Sequence, residues 1–211
     1  MEIRPPYSKA VLSLDDDVEV CALLEHLLWP HRVIGVSHAY VALELLAREA
    51  FDLLILDVRM PDMDGLELCY RIRREDPNVP VVICSGAAGP ADRELAIAAG
   101  ASACYGKPLE PESFQAGIEQ LLYEAEDRNR IAEAAVRELL DAWPQAAVLT
   151  ALRDEEMGAG SPLREQAYGR FIGSGGTRAH FVRAWPGMLE TALITAPALQ
   201  PMTPAIGRHG G

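Results

Sequence analysis

Short apolar runs and amphipathic stretches alternate through the first 124 residues. Residues 10–14, A-V-L-S-L, form an apolar run that stops at Asp15, Asp16 and Asp17. Val18, Cys21, Leu24, Leu27 and Leu28 then recur at the spacing of a helix burying one face, and Pro30 ends it. The same cycle repeats. Runs at 32–36, 53–56, 81–84 and 101–105 read as strands. Helices are expected directly after Ser37, which would cap that one, at 66–75, at 91–99 with Gly100 just past the end, and from Pro111. The helix after Ser37 would turn Val41, Leu45 and Leu46 inward. Five strands alternating with five helices imply an α/β fold: a doubly wound, five-stranded parallel sheet covered on both faces, over residues 7–124.

The pattern changes after that. Residues 111–142 contain no glycine beyond Gly117 and no proline beyond Pro111. Phe114, Ile118, Leu121, Leu122 and Ala125 recur at helical spacing, the polar D-R-N-R at 127–130 interrupts, and Ile131, Ala135, Leu139 and Leu140 resume. This predicts one long helix, or two nearly continuous ones, joining a domain at 1–124 to the C-terminal third of the chain. An apolar stripe that outruns its domain needs a cover. A helix–helix dimer is one, and folding back onto the same chain is the other. Helical segments are expected at 145–156, 162–172 and 177–195, broken by Gly158, Gly160 and G-S-G-G at 173–176. Together, 143–196 would form a mainly α-helical output or interaction region. The Pro- and Gly-rich end, 197–211, is expected to be disordered.

Composition narrows the function. The 211 residues carry 19 basic and 31 acidic side chains, a net charge of −12, which disfavours non-specific nucleic-acid binding. The acidity is uneven: residues 1–126 hold 10 basic and 22 acidic side chains, and residues 127–211 hold 9 of each. Cys21, Cys69, Cys84 and Cys104 form no C-x-x-C pair and read as reduced, buried thiols. M-E-I-R-P-P-Y has no apolar core of a signal peptide, and no apolar run reaches the roughly 20 residues of a membrane span. A soluble, cytoplasmic protein with no membrane partner is expected.

The candidate chemistry lies at strand ends. Asp15 and Asp16 end the first strand, Asp57 the third, Ser85 the fourth, and Lys107 comes directly after the fifth. The carboxyl ends of parallel strands open onto one crevice. Three carboxylates there repel, and a hard divalent cation held through oxygen, Mg²⁺, relieves the repulsion. Lys107 adds a compact positive charge and Ser85 a hydroxyl. Cation, ammonium and hydroxyl suit a phosphoryl group, whose transfer is mostly positioning and charge neutralisation. A carboxylate can serve as the nucleophile and carry that group as an acyl phosphate. Asp17 reads as a helix cap, and Asp62 and Asp64 as loop and turn residues before Gly65. His26, His31, His38, His180 and His209 lack ligand spacing. Trp143, Trp185, Phe171 and Phe181 read as core or interface anchors. G-S-G-G resembles a phosphate loop only in composition, since it lacks a preceding strand and a closing lysine.

L-D-D-D at 14–17, L-D-V-R-M-P-D-M-D-G at 56–65, C-S-G at 84–86 and G-K-P at 106–108 stand in the order found in receiver domains of two-component response regulators. The resemblance, to a CheY-like, flavodoxin-like fold, covers somewhat over half the chain. It implies that Asp57 is phosphorylated by a sensor histidine kinase or a phosphotransfer protein. It implies Mg²⁺ at Asp15, Asp16 and Asp57, with the Arg59 backbone carbonyl as a further ligand. Lys107 would pair with the phosphoryl group, Ser85 would turn toward it as a switch, and Lys107–Pro108 would be cis. The only catalysis implied is Mg²⁺-assisted self-phosphorylation and dephosphorylation. The Arg59 side chain could tune hydrolysis of the phosphoryl group, or be simply solvated.

One position departs from the family pattern. The aromatic switch residue usually lies three positions before the lysine, where this chain has Cys104. Tyr105 is its neighbour and should face the other way. A homodimer, or signalling through the C-terminal helices, is the leading output. The alternatives are a DNA-binding transcription regulator with an atypical or truncated output domain, and an adaptor for a partner protein. DNA is the weaker choice: residues 144–211 show no helix-turn-helix pattern, and 157–211 carry five arginines and no lysine.

Overall fold

The computed structural model describes residues 8–86, 89–156 and 160–195. Strands β1 (Ala10–Leu14), β2 (Arg32–Val36), β3 (Leu53–Asp57), β4 (Val81–Ser85) and β5 (Ala103–Gly106) form one sheet in the order β2-β1-β3-β4-β5, and every pairing is parallel. Helices α1 (Val18–Leu27), α2 (Ala39–Arg48), α3 (Gly65–Glu75), α4 (Pro90–Ala98) and α5 (Pro111–Asp141) alternate with them. All residues of β3 and β4 are buried, as expected of central parallel strands covered on both faces. Side-chain alternation sorts the strands into two layers. Leu54, Leu56 and Ile83 pack with residues of α2, α3 and α4; Leu53, Ile55 and Val82 pack with residues of α1 and α5.

Local chemistry sets most helix starts. Asp17 caps α1 by accepting from Glu19 N at 2.9 Å, and Asp64 caps α3 by accepting from Leu66 N at 2.7 Å. The α2 cap differs from the expectation. Ser37 lies one residue before the cap position, which His38 occupies without a side-chain cap bond; Asp62, from the loop after β3, accepts the Ala39 amide at 2.9 Å. Asp62 and Asp64 are therefore caps rather than plain loop residues. Gly100 adopts φ +97° just past α4.

α5 is a single helix of 31 residues. Its buried side chains, Phe114, Ile118, Leu122, Ala125, Asn129, Ala132, Val136 and Leu140, keep one continuous phase. The apolar pattern of the sequence places a restart of the stripe at Ile131, which is 58 % exposed. The true stripe passes through Asn129, whose polarity disguises it. Asn129 Oδ1 accepts from Thr177 N at 2.8 Å and Thr177 Oγ1 at 3.3 Å, so this buried amide is satisfied in part by another helix start.

Three further helices, α6 (Gln145–Glu156), α7 (Pro162–Gly173) and α8 (Arg178–Thr195), pack on the second half of α5. Val136 and Leu140 meet Val148, Leu163, Phe171, Phe181, Trp185 and Leu189 in one core. The stripe is thus covered within the chain and does not call for a second copy. The G-S-G-G run is the α7–α8 turn: Gly175 has φ +92°, and a Cβ on Gly176 would lie 2.0 Å from the Phe171 ring.

The bundle docks on the amino ends of the sheet strands. Asn78 Nδ2 donates to Ile172 O (2.8 Å) and Gly176 O (2.9 Å), Arg178 Nη1 to Leu46 O (2.8 Å), and Arg183 pairs with Asp52. Among the described residues no helix is long and apolar enough to cross a membrane. The tail expected at 197–211 lies outside the described residues.

Candidate functional site

The strand ends bring Asp15, Asp57, Ser85 and Lys107 to one pole of the sheet. The Asp15 amide donates to Val36 O at 3.1 Å, and the Val58 amide to Cys84 O at 3.2 Å, so pairing continues past each aspartate and fixes its backbone. Lys107 N donates to Ser85 O at 2.8 Å, which ties the lysine to the end of β4. Gly65 closes the loop after Asp57 by donating to Val58 O at 3.0 Å; a Cβ there would lie 2.0 Å from the Asp57 carbonyl oxygen, so only glycine fits.

The Lys107 ammonium stands between two buried carboxylates, 2.6 Å from Asp15 Oδ2 and 2.6 Å from Asp57 Oδ1. The other oxygens are also engaged: Asp15 Oδ1 accepts from Asp17 N at 3.1 Å, and Asp57 Oδ2 from Arg59 N at 2.7 Å. Burial pushes the Asp15 carboxyl above its ordinary range, against the opposing pull of Lys107 and the Asp17 amide. Burial alone would lower Lys107, but its bonds and charge attraction to Asp15 and Asp57 outweigh that and raise it. Lys107 therefore stays positively charged. Behind the site, burial pushes the Cys84 thiol up to about 12, so it stays protonated and inert.

Asp16 and the Arg59 side chain are exposed beside this pair, and Ser85 is buried. Among the described residues no three acidic, histidine or cysteine side chains are grouped closely enough to hold a metal ion. The donor set of Asp15, Asp16, Asp57 and a backbone carbonyl is nonetheless all oxygen, which fits Mg²⁺ in kind. Lys107–Pro108 is cis, and so is Trp29–Pro30.

Cys104 and Tyr105 point to opposite faces. Cys104 packs in the layer under α2, α3 and α4, whereas Tyr105 joins the α1–α5 layer, edge-on to Phe114 at 4.9 Å and 75°. Two histidines outside the site have structural partners: His31 Nδ1 accepts the Lys9 amide and Nε2 meets Glu119 Oε1 at 2.9 Å, and His180 pairs with Glu133. A cleft of about 390 Å³, lined by Leu43, Leu46, Leu54, Ile72 and Arg178 among others, lies at the opposite pole, and no site residue lines it. Sequence reasoning misses Gly65 as a site residue, although its place after two turn aspartates is a usable signal. The remote cap by Asp62 has no local signal.

This sheet order, with carboxylates and a lysine at the carboxyl ends of its strands, defines a receiver. The chain belongs to the response regulator receiver domain family, whose model matches residues 11–119. It is a two-component response regulator by that membership. It is 33 % identical over 130 residues to the transcriptional regulatory protein ZraR of Klebsiella oxytoca, covering 61 % of this chain and 28 % of ZraR. It is 37 % identical over 139 residues to the response regulator protein FleR of Pseudomonas aeruginosa, covering 62 % of this chain and 29 % of FleR. A CheY-like receiver domain protein from Methanospirillum hungatei has a similar structure, with a TM-score of 0.54 and 27 % identity, over 57 % of this chain and 98 % of that one. The chain thus spans under a third of the curated relatives it matches. The family match ends within α5 and leaves α6, α7 and α8 outside it.

Proposed function

We propose that Asp57 accepts a phosphoryl group from a phosphohistidine of a sensor kinase or phosphotransfer protein, and that the bundle of α5–α8 reads the result. The observation that supports this most is the Asp57 carboxylate at the end of β3, 2.6 Å from a lysine ammonium shared with Asp15. An Asp57 carboxylate oxygen attacks phosphorus and forms the new P–O bond. The P–N bond breaks, its electron pair stays on the imidazole nitrogen, and that nitrogen takes a proton from solvent. Lys107 moves from the carboxylates to a phosphoryl oxygen and neutralises its charge. The Ser85 hydroxyl turns to a second phosphoryl oxygen. Mg²⁺ held by Asp15, Asp16, Asp57 and the Arg59 carbonyl would supply further positive charge to that group. This assistance at its own site is the only catalysis in the reading.

The protein then works in the cytoplasm, with the kinase domain that holds the phosphohistidine. Its output is a protein contact. Residues 127–195 carry eight arginines, no lysine and nine carboxylates, so the bundle offers no excess of positive charge to a nucleic-acid backbone. A transcription-regulator output, as the name of ZraR suggests for that protein, would show as duplex binding that weakens steeply with salt.

The test is uptake from acetyl phosphate, a small phosphodonor, read by intact mass. The wild type should gain one phosphoryl group and Asp57→Asn none. Uptake by Asp57→Asn at the wild-type rate would remove Asp57 from the role.

A further inference from the structure

The 31 residues of α5 include one glycine, Gly117. Glycine weakens a helix interior relative to alanine, so its presence calls for a packing reason. The reason is Tyr105. A Cβ on Gly117 would lie 1.8 Å from the Tyr105 hydroxyl oxygen and 3.0 Å from Cζ. The hydroxyl end of the tyrosine rests directly on the helix backbone, and Phe114, one turn earlier, holds the ring edge-on at 4.9 Å.

Both ends of this contact lead somewhere. Across the sheet, Asp57 pairs with Cys84 and Cys84 with Tyr105, so Tyr105 stands in the same cross-strand row as Asp57. It is also two residues before Lys107, whose amide is bonded to Ser85 O. On the other side, α5 runs on without a break from the receiver core at Ile118 and Leu122 to the bundle core at Val136 and Leu140. The opposite face of β5 carries only the small Cys104. The bulky, displaceable group therefore faces α5 and not α4.

We propose that Tyr105, seated on Gly117, is the joint through which the state of the Asp57 site reaches the helical bundle along α5. The inference rests on Asp57 as the phosphoryl acceptor. When Lys107 leaves Asp15 and Asp57 for a phosphoryl oxygen, the chain at Gly106 moves with it and Tyr105 moves with the chain. A hydroxyl resting on bare backbone transmits that movement without the slack of an intervening side chain. A rigid helix then carries it to the contacts of Val136 and Leu140 with α7 and α8.

The test uses the full chain with beryllofluoride and Mg²⁺, beryllofluoride standing in for the phosphoryl group on Asp57. Amide hydrogen exchange across residues 181–192 of α8 reads the bundle, and analogue binding and phosphoryl uptake are measured on the same samples. In the wild type the analogue should change α8 exchange by about fivefold or more, the lower end of usual coupling between sites. Tyr105→Leu should bind the analogue and take up phosphoryl as the wild type does, while the α8 change disappears. Tyr105→Phe keeps the ring and should retain part of it. Gly117→Ala should shift α8 exchange before any analogue is added. A purely structural tyrosine predicts a different result: faster basal exchange in Tyr105→Leu with the analogue-induced change intact, and that result overturns the proposal. So does a wild type that binds the analogue with no α8 response. A wild type that takes up neither analogue nor phosphoryl refutes the Asp57 assignment itself, and the joint with it.

Discussion

The two ends of the receiver sheet both bury a pair of aspartates and use them differently. At the carboxyl end, Asp15 and Asp57 share one lysine ammonium. At the amino end, Asp52 Oδ2 accepts the Ala10 amide at 2.9 Å while Oδ1 meets Arg183 of α8; Asp76 accepts the amides of Asn78 (3.2 Å), Val79 (3.1 Å) and Arg178 (3.1 Å). An ammonium on a flexible stem can change partners, as the proposed phosphoryl transfer to Asp57 requires. Amides fixed in the chain cannot, so a carboxylate they satisfy holds geometry. One pole is arranged for exchange of partners and the other for attachment. The attached object is the bundle, which sits at the pole remote from Asp57 and is joined to the receiver covalently through α5.

Substitutions should separate the two poles. The largest effect is expected from Lys107→Met, which removes the positive charge from the reacting group. Phosphoryl uptake from acetyl phosphate should slow on the order of 100-fold, as for loss of one preorganised charge-stabilising donor. A decrease of less than about threefold would place charge neutralisation elsewhere. Gly65→Ala comes next: its Cβ would stand 2.0 Å from the Asp57 carbonyl oxygen, so denaturant melts should show a loss of about 3 kcal/mol, the upper range for forced overpacking.

Asp52→Ala tests the other pole. It removes both the Ala10 acceptor and the partner of Arg183, and should cost about 2 kcal/mol of stability. Phosphoryl uptake should stay within about twofold of wild type, since the bonds of Asp52 run to Ala10 and Arg183 and not to Asp15, Asp57 or Lys107. A large fall in uptake would mean that the poles are not separate in function.

How far the sequence could be read obeys the same division. The carboxyl pole was legible because strand ends carry chemistry in a fixed order: Asp15, Asp57, Ser85 and Lys107 each come after an apolar run. Asp17 as a cap was legible because its partner, Glu19 N, is two residues away. The amino pole was not. Asn78 reaches Ile172 across 94 residues and Arg178 reaches Leu46 across 132, and no local pattern announces such partners. Asn129 hid the phase of α5 because its amide is satisfied by Thr177, 48 residues on. Polar residues bonded within their own turn can be read from a sequence; those bonded across the fold read as solvated loop.

The smallest predicted effect sharpens the contrast between poles by pH. Burial is the largest influence on Asp76 and raises its pKa above 3.8; the amides of Arg178, Asn78 and Val79 and the charge of Arg73 oppose it without prevailing. The folded chain therefore holds this proton to a higher pH than the unfolded chain does. Stability from the protonated group is fully present below the unfolded value and is lost as pH rises through the folded one. Asp76→Asn does not titrate, so subtracting its melting profile cancels the other carboxylates. As pH falls from about 7 to about 4, the wild type should gain stability relative to Asp76→Asn. If it loses stability instead, the charged carboxylate is what the amides and Arg73 hold in place. The amino pole would then be a charge site like its counterpart, and protonation would loosen the bundle at the same pole that binds it.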